Sequence, residues 1–89
     1  MGGNQERPAF ALTAHAERVI LERALELEWI ERVLREPEVE EPDRSDADLR
    51  HALAAIPERE GRILRVIYNH RVSPTRIVTA YFDRSAKRK

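Results

Sequence analysis

Three residues near the start of the chain have the spacing of one helix face. His15, Arg18 and Glu22 lie at positions i, i+3 and i+7, and Thr13 precedes them. A histidine can act as an acid or a base near neutral pH, and an arginine offers a forked donor to phosphate oxygens. The row is therefore a candidate catalytic site that could hold a phosphate and transfer a proton. The same pattern is more often an exposed capping and salt-bridge face, and the residues alone favour that interpretation.

A second group of candidates lies near the end of the chain, where arginine and tyrosine alternate with apolar residues in two predicted strands. Alternation along the first strand is predicted to place Arg62, Leu64, Val66 and Tyr68 on one face. In the partner strand, it is predicted to place Ile77, Thr79 and Tyr81 together on one face. Arginine and tyrosine on an open sheet face form a surface that can stack on bases and contact phosphates of single-stranded RNA. Tyrosines in a small core with their hydroxyls at the rim are the commoner alternative.

Other kinds of chemistry find little support in the sequence. The chain has no cysteine, which excludes a disulfide framework, a thiolate nucleophile and a Cys-based metal site. His15, His51 and His70 are far apart, and none has a second histidine four residues away. There is no phosphate loop, no GxGxxG and no GxSxG. We therefore expect no metal and no cofactor.

The length of 89 residues suits one domain with one core. The longest apolar run is Val19-Ile20-Leu21, which is too short for a membrane span or a signal peptide. We therefore expect a cytoplasmic protein with no membrane role.

Net charge is zero, but the charges are unevenly distributed along the chain. Residues 1–45 hold 6 basic and 11 acidic residues (−5), whereas residues 46–89 hold 10 basic and 5 acidic residues (+5). If the halves fold as separate layers, one side of the protein is acidic and the other basic. A basic sheet face could meet phosphates, although ordinary solvated faces would give the same count.

The first half of the chain is predicted to be helical. Residues 1–8 should form a flexible terminus, residues 9–12 an edge strand, and Thr13 an N-cap. A first helix follows from Ala14 to about Ala24, and the apolar register then shifts near residues 25–28. A second stripe runs from Trp29 to Leu34 and ends before Pro37, so two short helices are the simplest interpretation and one bent helix the alternative. The acidic, proline-containing stretch 36–48 is predicted to be an exposed connection.

The second half is predicted to be mainly β-structure. Residues 49–56 fit either a helix or a strand, and we favour the strand. Residues 62–68 and 76–82 read as two strands joined by residues 69–75, and residues 85–89 as a basic tail. The predicted fold is therefore a single α+β domain over residues 9–84, with two N-terminal helices packed on a small antiparallel sheet that ends in a β-hairpin.

Several segments together resemble the bacterial domain-of-unknown-function family four-two-five-eight. Its hallmarks are an opening that combines Thr, His-Ala and Arg, a Pro after the second helix, and a late Val-Thr strand that ends in Asp-Arg. The matching segments are Leu12-Thr13-Ala14-His15-Ala16-Glu17-Arg18, Glu22-Arg23, Trp29 to Pro37, and Ile77-Val78-Thr79-Ala80-Tyr81-Phe82-Asp83-Arg84. The sequence departs from the pattern at Ala24, where a Gly commonly ends the first helix.

Such proteins are similar to the small BrnT- and RelE-type toxins, which cleave RNA without a metal when their antitoxin is absent. The resemblance implies a RelE-like fold, with RNA as substrate and an antitoxin protein as partner. It implies His15 or Glu22 as the acid–base group, Arg18, Arg23 and Arg62 as phosphate clamps, and Tyr68 or Tyr81 as a stacking group. A non-catalytic module that binds a protein or a nucleic acid is the alternative, because no strong catalytic signature is present.

Overall fold

The computed structural model describes residues 10–86, and within them the chain forms two helices and a five-stranded mixed sheet. The predicted α+β class is confirmed. The predicted flexible N-terminus at 1–8 and the end of the basic tail at 87–89 lie outside the described residues. In chain order the elements are β1 (Phe10–Leu12), α1 (Ala14–Glu22), α2 (Leu27–Arg35), β2 (Val39–Pro42), β3 (Leu49–Ile56), a 3₁₀ turn (Pro57–Arg59), β4 (Arg62–Asn69) and β5 (Thr75–Phe82).

The strand order is β1-β5-β4-β3-β2. Strands β2 to β5 pair in an antiparallel manner, and the three long strands β3, β4 and β5 form the centre of the sheet. The expectation that residues 49–56 form a strand is confirmed. The expectation of a purely antiparallel sheet is wrong, because β1 pairs with the start of β5 in the parallel direction.

The prediction that residues 36–48 form only an exposed connection is also wrong. Val39–Pro42 is an edge strand that pairs with the first half of β3. Its side chains are mostly exposed, so the apolar alternation that predicts a strand is absent. Charged residues and a terminal proline are what a sheet edge tolerates, because both discourage pairing with another chain.

Helix α1 begins at a side-chain cap and is followed by a left-handed turn. The Thr13 hydroxyl accepts a hydrogen bond from the Ala16 amide at 3.0 Å, which satisfies an orphan donor of the first turn. After α1 the chain turns at Ala24, which has a positive φ of 55°. Only that left-handed residue and its neighbours separate α1 from α2, so the two-helix interpretation is confirmed.

The two helices cover one face of the sheet and form the core with it. Neither helix in residues 10–86 is long and apolar enough to cross a membrane. The core includes Trp29 and the partly polar Tyr68. Its largest fully buried side chains are Ile30, Val33, Ile56, Leu64, Val66 and Ile77.

A β-bulge changes the predicted faces of the hairpin. The register of β4 and β5 shifts between Ile67 and Tyr68, so Tyr68 lies opposite Ile77, whereas Ile67 lies opposite Thr79. Ile77 therefore enters the core beneath the helices. The prediction that Ile77 shares a face with Thr79 and Tyr81 is wrong, because the extra residue in β5 moves the later side chains to the other face.

Candidate nucleic-acid interface

The predicted catalytic row lies on the outside of α1. The guanidinium of Arg18 donates to His15 Nδ1 at 3.2 Å, and its Nε lies 3.9 Å from a Glu22 carboxylate oxygen. The Arg18 and Glu22 side chains are 60% and 63% exposed. The row is therefore contiguous, but it is a solvated face of the kind that contributes little to stability.

The geometry of α1 separates this row from the rest of the predicted site. The helix buries Ala16, Val19 and Ile20 against the sheet. With 3.6 residues per turn, Arg23 projects towards that sheet side, about a quarter turn or more from the row. The Arg23 guanidinium donates to the carbonyl of Ala80 at 2.7 Å, on the part of β5 that extends beyond β1.

A shallow concavity of about 370 Å³ brings together two of the predicted phosphate clamps and one of the predicted stacking tyrosines. We call it the arginine concavity. Arg23 contributes from the C-cap of α1, Arg59 from the 3₁₀ turn and Arg62 from the start of β4. Tyr81 and Phe82 contribute from the end of β5. None of His15, Arg18 and Glu22 lines it.

Aromatic rings and a carbonyl hold the three guanidinium groups in place. Arg59 lies over the rings of Trp29 and Phe82, with its Cζ 5.7 Å and 5.1 Å from their centroids. Arg62 lies over the Phe82 ring at 4.5 Å. Such contacts orient a cation but leave its charge in place.

Among the residues that the structure describes, no carboxylate pairs with the arginines of the concavity. Within residues 10–86, none of Arg23, Arg59 and Arg62 has an Asp or Glu oxygen within 4.0 Å. Three cations close together raise the local potential and attract an anion. Planar guanidinium groups match the oxygens of a phosphate in two-pronged hydrogen bonds. The arrangement is chemically suited to a phosphate group or a phosphodiester backbone.

The two predicted stacking tyrosines lie on opposite faces of the sheet. Tyr68 is buried beneath the helices, and its hydroxyl donates to Glu40 at 2.9 Å. Burial and the Glu40 carboxylate raise the pKa of Tyr68. Tyr81 is half-buried and lies opposite Arg65 on the face away from the helices. Tyr68 therefore serves the core, whereas Tyr81 lines the edge of the arginine concavity and lies on the other face of the sheet from Phe82.

The face away from the helices carries a polar network that the sequence did not reveal. His51 Nε2 lies 2.7 Å from Asp43, and its Nδ1 lies 2.6 Å from the Arg65 guanidinium. Arg65 also donates to Asp83 at 2.7 Å and to Glu41 at 3.1 Å. An arginine can only donate, so Nδ1 accepts and Nε2–H donates to Asp43. Both ring nitrogens are occupied, and the role of His51 in this network is to position Arg65.

This network shifts the pKa values of its charged members. The hydrogen bond from His51 lowers the pKa of Asp43. Hydrogen bonds from Ser85 and Arg65 lower the pKa of Asp83 to about 2. Burial opposes the charge of Arg65, but its bonds to Asp83 and Glu41 outweigh that cost and raise its pKa. The network therefore favours the ionised forms of Asp43, Arg65 and Asp83.

Strand pairing explains why the sequence did not reveal these residues. Asp43, His51, Arg65 and Asp83 are widely separated, and only the registers of β2 to β5 place them side by side. Arg59 was missed because it lies in a turn without strand or helix periodicity. Over residues 10–86, no three His, Asp or Glu side chains converge as metal ligands would.

Comparison with known proteins gives one clear relationship. No curated protein and no solved structure matches the chain. A family model does match, over residues 12–82, which is most of the chain and includes both helices, the central strands and the arginine concavity. The chain therefore belongs to the family described as Domain of unknown function (DUF4258).

Proposed function

We propose that the protein binds single-stranded RNA through the arginine concavity. The observation that carries the proposal is the convergence of three arginines, from three separate elements, without a carboxylate partner among the described residues. Keeping like charges together costs free energy in the absence of a bound anion. An RNA backbone offers successive phosphates that would remove this cost.

The neighbouring aromatic side chain supports a single strand rather than a duplex. Tyr81 is partly exposed and borders the concavity from the other face of the sheet, where a base that leaves the concavity would meet it. Stacking on an accessible ring requires a base that is free of a duplex. RNA is the expected polymer because the sequence resembles toxins that act on RNA.

Binding can be measured by the fluorescence anisotropy of a labelled, unstructured RNA of about a dozen nucleotides. The double variant R59Q/R62Q removes two guanidinium groups, and we expect its affinity to fall at least tenfold, in keeping with the loss of two charge-assisted contacts. The matched control is R71Q, which removes the same kind of charge from a 60% exposed arginine paired with Asp48. Equal affinity of R59Q/R62Q and wild type would overturn the proposal, and DNA of the same sequence tests the preference for RNA.

Metal-independent endoribonuclease activity of the toxin type is the second candidate. The observation that favours it is the exposed row on α1, where His15 receives a hydrogen bond from Arg18 beside Glu22. In that case His15 or Glu22 would deprotonate the RNA 2′-hydroxyl, and Arg18 would stabilise the charged phosphorane. An antitoxin protein would then be the natural partner that restrains it.

Controlled expression separates the two candidates. The wild type and the double variant H15A/R18A are expressed from a tightly repressed promoter, and growth and total RNA integrity are followed. Growth arrest with RNA fragmentation, lost in a folded H15A/R18A, would establish the nuclease and place its site on α1. Normal growth with intact RNA for both proteins, together with RNA binding in vitro, would leave the non-catalytic binding module.

A further inference from the structure

A second surface lies at the junction of the two helices and is independent of the RNA proposal. Across residues 10–86, the exposed large apolar side chains are Leu21, 81% exposed, and Leu27, 43% exposed. Both line one open groove of about 500 Å³, whose floor is formed by Leu12, Ile20 and Leu25. Single exposed leucines are ordinary on a protein surface, but two that share a groove with a continuous apolar floor indicate a contact site.

Acidic residues surround this groove. Glu17 lies on α1, Glu26 directly precedes α2 and Glu28 lies in the first turn of α2. Glu28 is 3.4 Å from Arg32, whereas Glu17 and Glu26 have no cationic partner within 4.0 Å in the described part of the chain. The groove thus combines an apolar floor with a negative border, the opposite electrostatic character to the arginine concavity.

We propose that this groove binds a basic amphipathic helix of a partner protein. The chemistry of the groove specifies the occupant: leucine-like side chains at i, i+3 or i+4 and i+7 would cover Leu21 and Leu27, and flanking lysines or arginines would pair with Glu17 and Glu26. Negatively charged lipid would be repelled by the same carboxylates. A second copy of the chain would need its own basic, apolar helix, and neither α1 nor α2 has more arginines than glutamates.

The groove and the arginine concavity meet at one residue. Leu25, in the turn between α1 and α2, lines both surfaces. None of the three arginines of the concavity lines the groove. Binding of the partner and binding of RNA can be measured separately.

The test uses a synthetic, fluorescently labelled helix of about 18 residues with leucines on one face and lysines on the other. Its affinity for the full chain is measured by anisotropy, against a scrambled peptide of the same composition. The variant L21S/L27S should bind at least tenfold more weakly, because it removes the two exposed apolar anchors. The variant E17Q/E26Q should bind several-fold more weakly at low salt, with a smaller difference at high salt. R71Q is the control on a distant surface.

The exposed positions of these leucines mean that L21S/L27S should fold normally, which circular dichroism can verify. Equal binding of the helical and scrambled peptides, or unchanged binding to L21S/L27S, would overturn the proposal. Sedimentation of the free protein gives a second test of the proposal. If the wild type is a dimer and L21S/L27S is a monomer, a second copy of the chain occupies the groove and the proposal is wrong.

Discussion

The turn between the helices should become more stable when Ala24 is replaced by glycine. Ala24 has a φ of +55°, in the left-handed region that costs an L-residue roughly 1–2 kcal/mol. Glycine removes most of that cost but gives the unfolded chain about 0.4–1 kcal/mol more entropy to lose. The net expectation for A24G is about 0.5–1 kcal/mol of added stability. For a domain of this size that corresponds to a rise in Tm of roughly 3–6 °C.

Gly61 offers the reverse experiment on the same principle. Its φ is +75°, and a Cβ added there would meet nothing within 4 Å. G61A should therefore lose about 0.5–1 kcal/mol for conformational reasons alone. The control A14G replaces an exposed alanine in the first turn of α1 and should destabilise the protein by a few tenths of a kcal/mol to about 1 kcal/mol.

Urea denaturation and thermal melting of the four proteins give these differences directly. The predicted order of stability is A24G, wild type, then G61A, with A14G below wild type. A lower stability of A24G than of wild type would refute the assignment of a strained left-handed residue at the end of α1.

Further predictions concern the core and the network around Arg65. Ile30 is fully buried between the helices and the sheet, so I30A should cost about 2–5 kcal/mol in urea denaturation, and a loss below about 1 kcal/mol would contradict the packing described. Asp83 has a pKa of about 2 against 3.8 for the unstructured group, so its contribution is complete above pH 4 and is lost as the pH falls towards 2. D83N should therefore be less stable than wild type at pH 7 by about 2 kcal/mol, and the difference should vanish near pH 2. A difference that did not change with pH would show that Asp83 acts only by packing. Y68F should lose about 1 kcal/mol, because it removes the hydrogen bond to Glu40, and unchanged unfolding would show that this bond contributes nothing.

The sequence predicted the helices and the central strands because their signals are local. Thr13 supplies a cap, and the stripes around Val19 and Ile30 repeat at the helical period. The β-branched residues of β4 and β5 likewise predict strands. The departure from the family pattern at Ala24 lies at the turn between the helices, which is present despite the missing glycine.

The features that the sequence did not predict depend on pairing between distant segments. Strand β2 has hardly any buried side chains, so only its hydrogen bonds to β3 define it as a strand. Composition does not determine the parallel pairing of β1 or the register shift between Ile67 and Tyr68, because both depend on how distant strands align. The network of His51 and Arg65 depends on the registers of β2 to β5, which is why it could be recognised only in the folded chain.

The candidate site was predicted in part for the same reason. Arg23, Arg62 and Tyr81 were singled out from the sequence and do converge, but the residue that completes the concavity, Arg59, has no pattern of its own. His15, Arg18 and Glu22 form a row on one face of α1, as predicted. This row does not line the arginine concavity. Whether any of these residues acts on RNA stays a prediction.

The most direct test of the central claim is the salt dependence of RNA binding. Each phosphate neutralised on a single strand contributes a slope of about −0.7 to a plot of log K against log salt concentration, so three arginines predict about −2. The double variant R59Q/R62Q should reduce the slope by about 1.4, and R71Q should leave it unchanged. A wild-type slope near −2 that falls in this way would support the arginine concavity as the RNA site. The same slope in wild type and R59Q/R62Q would contradict it.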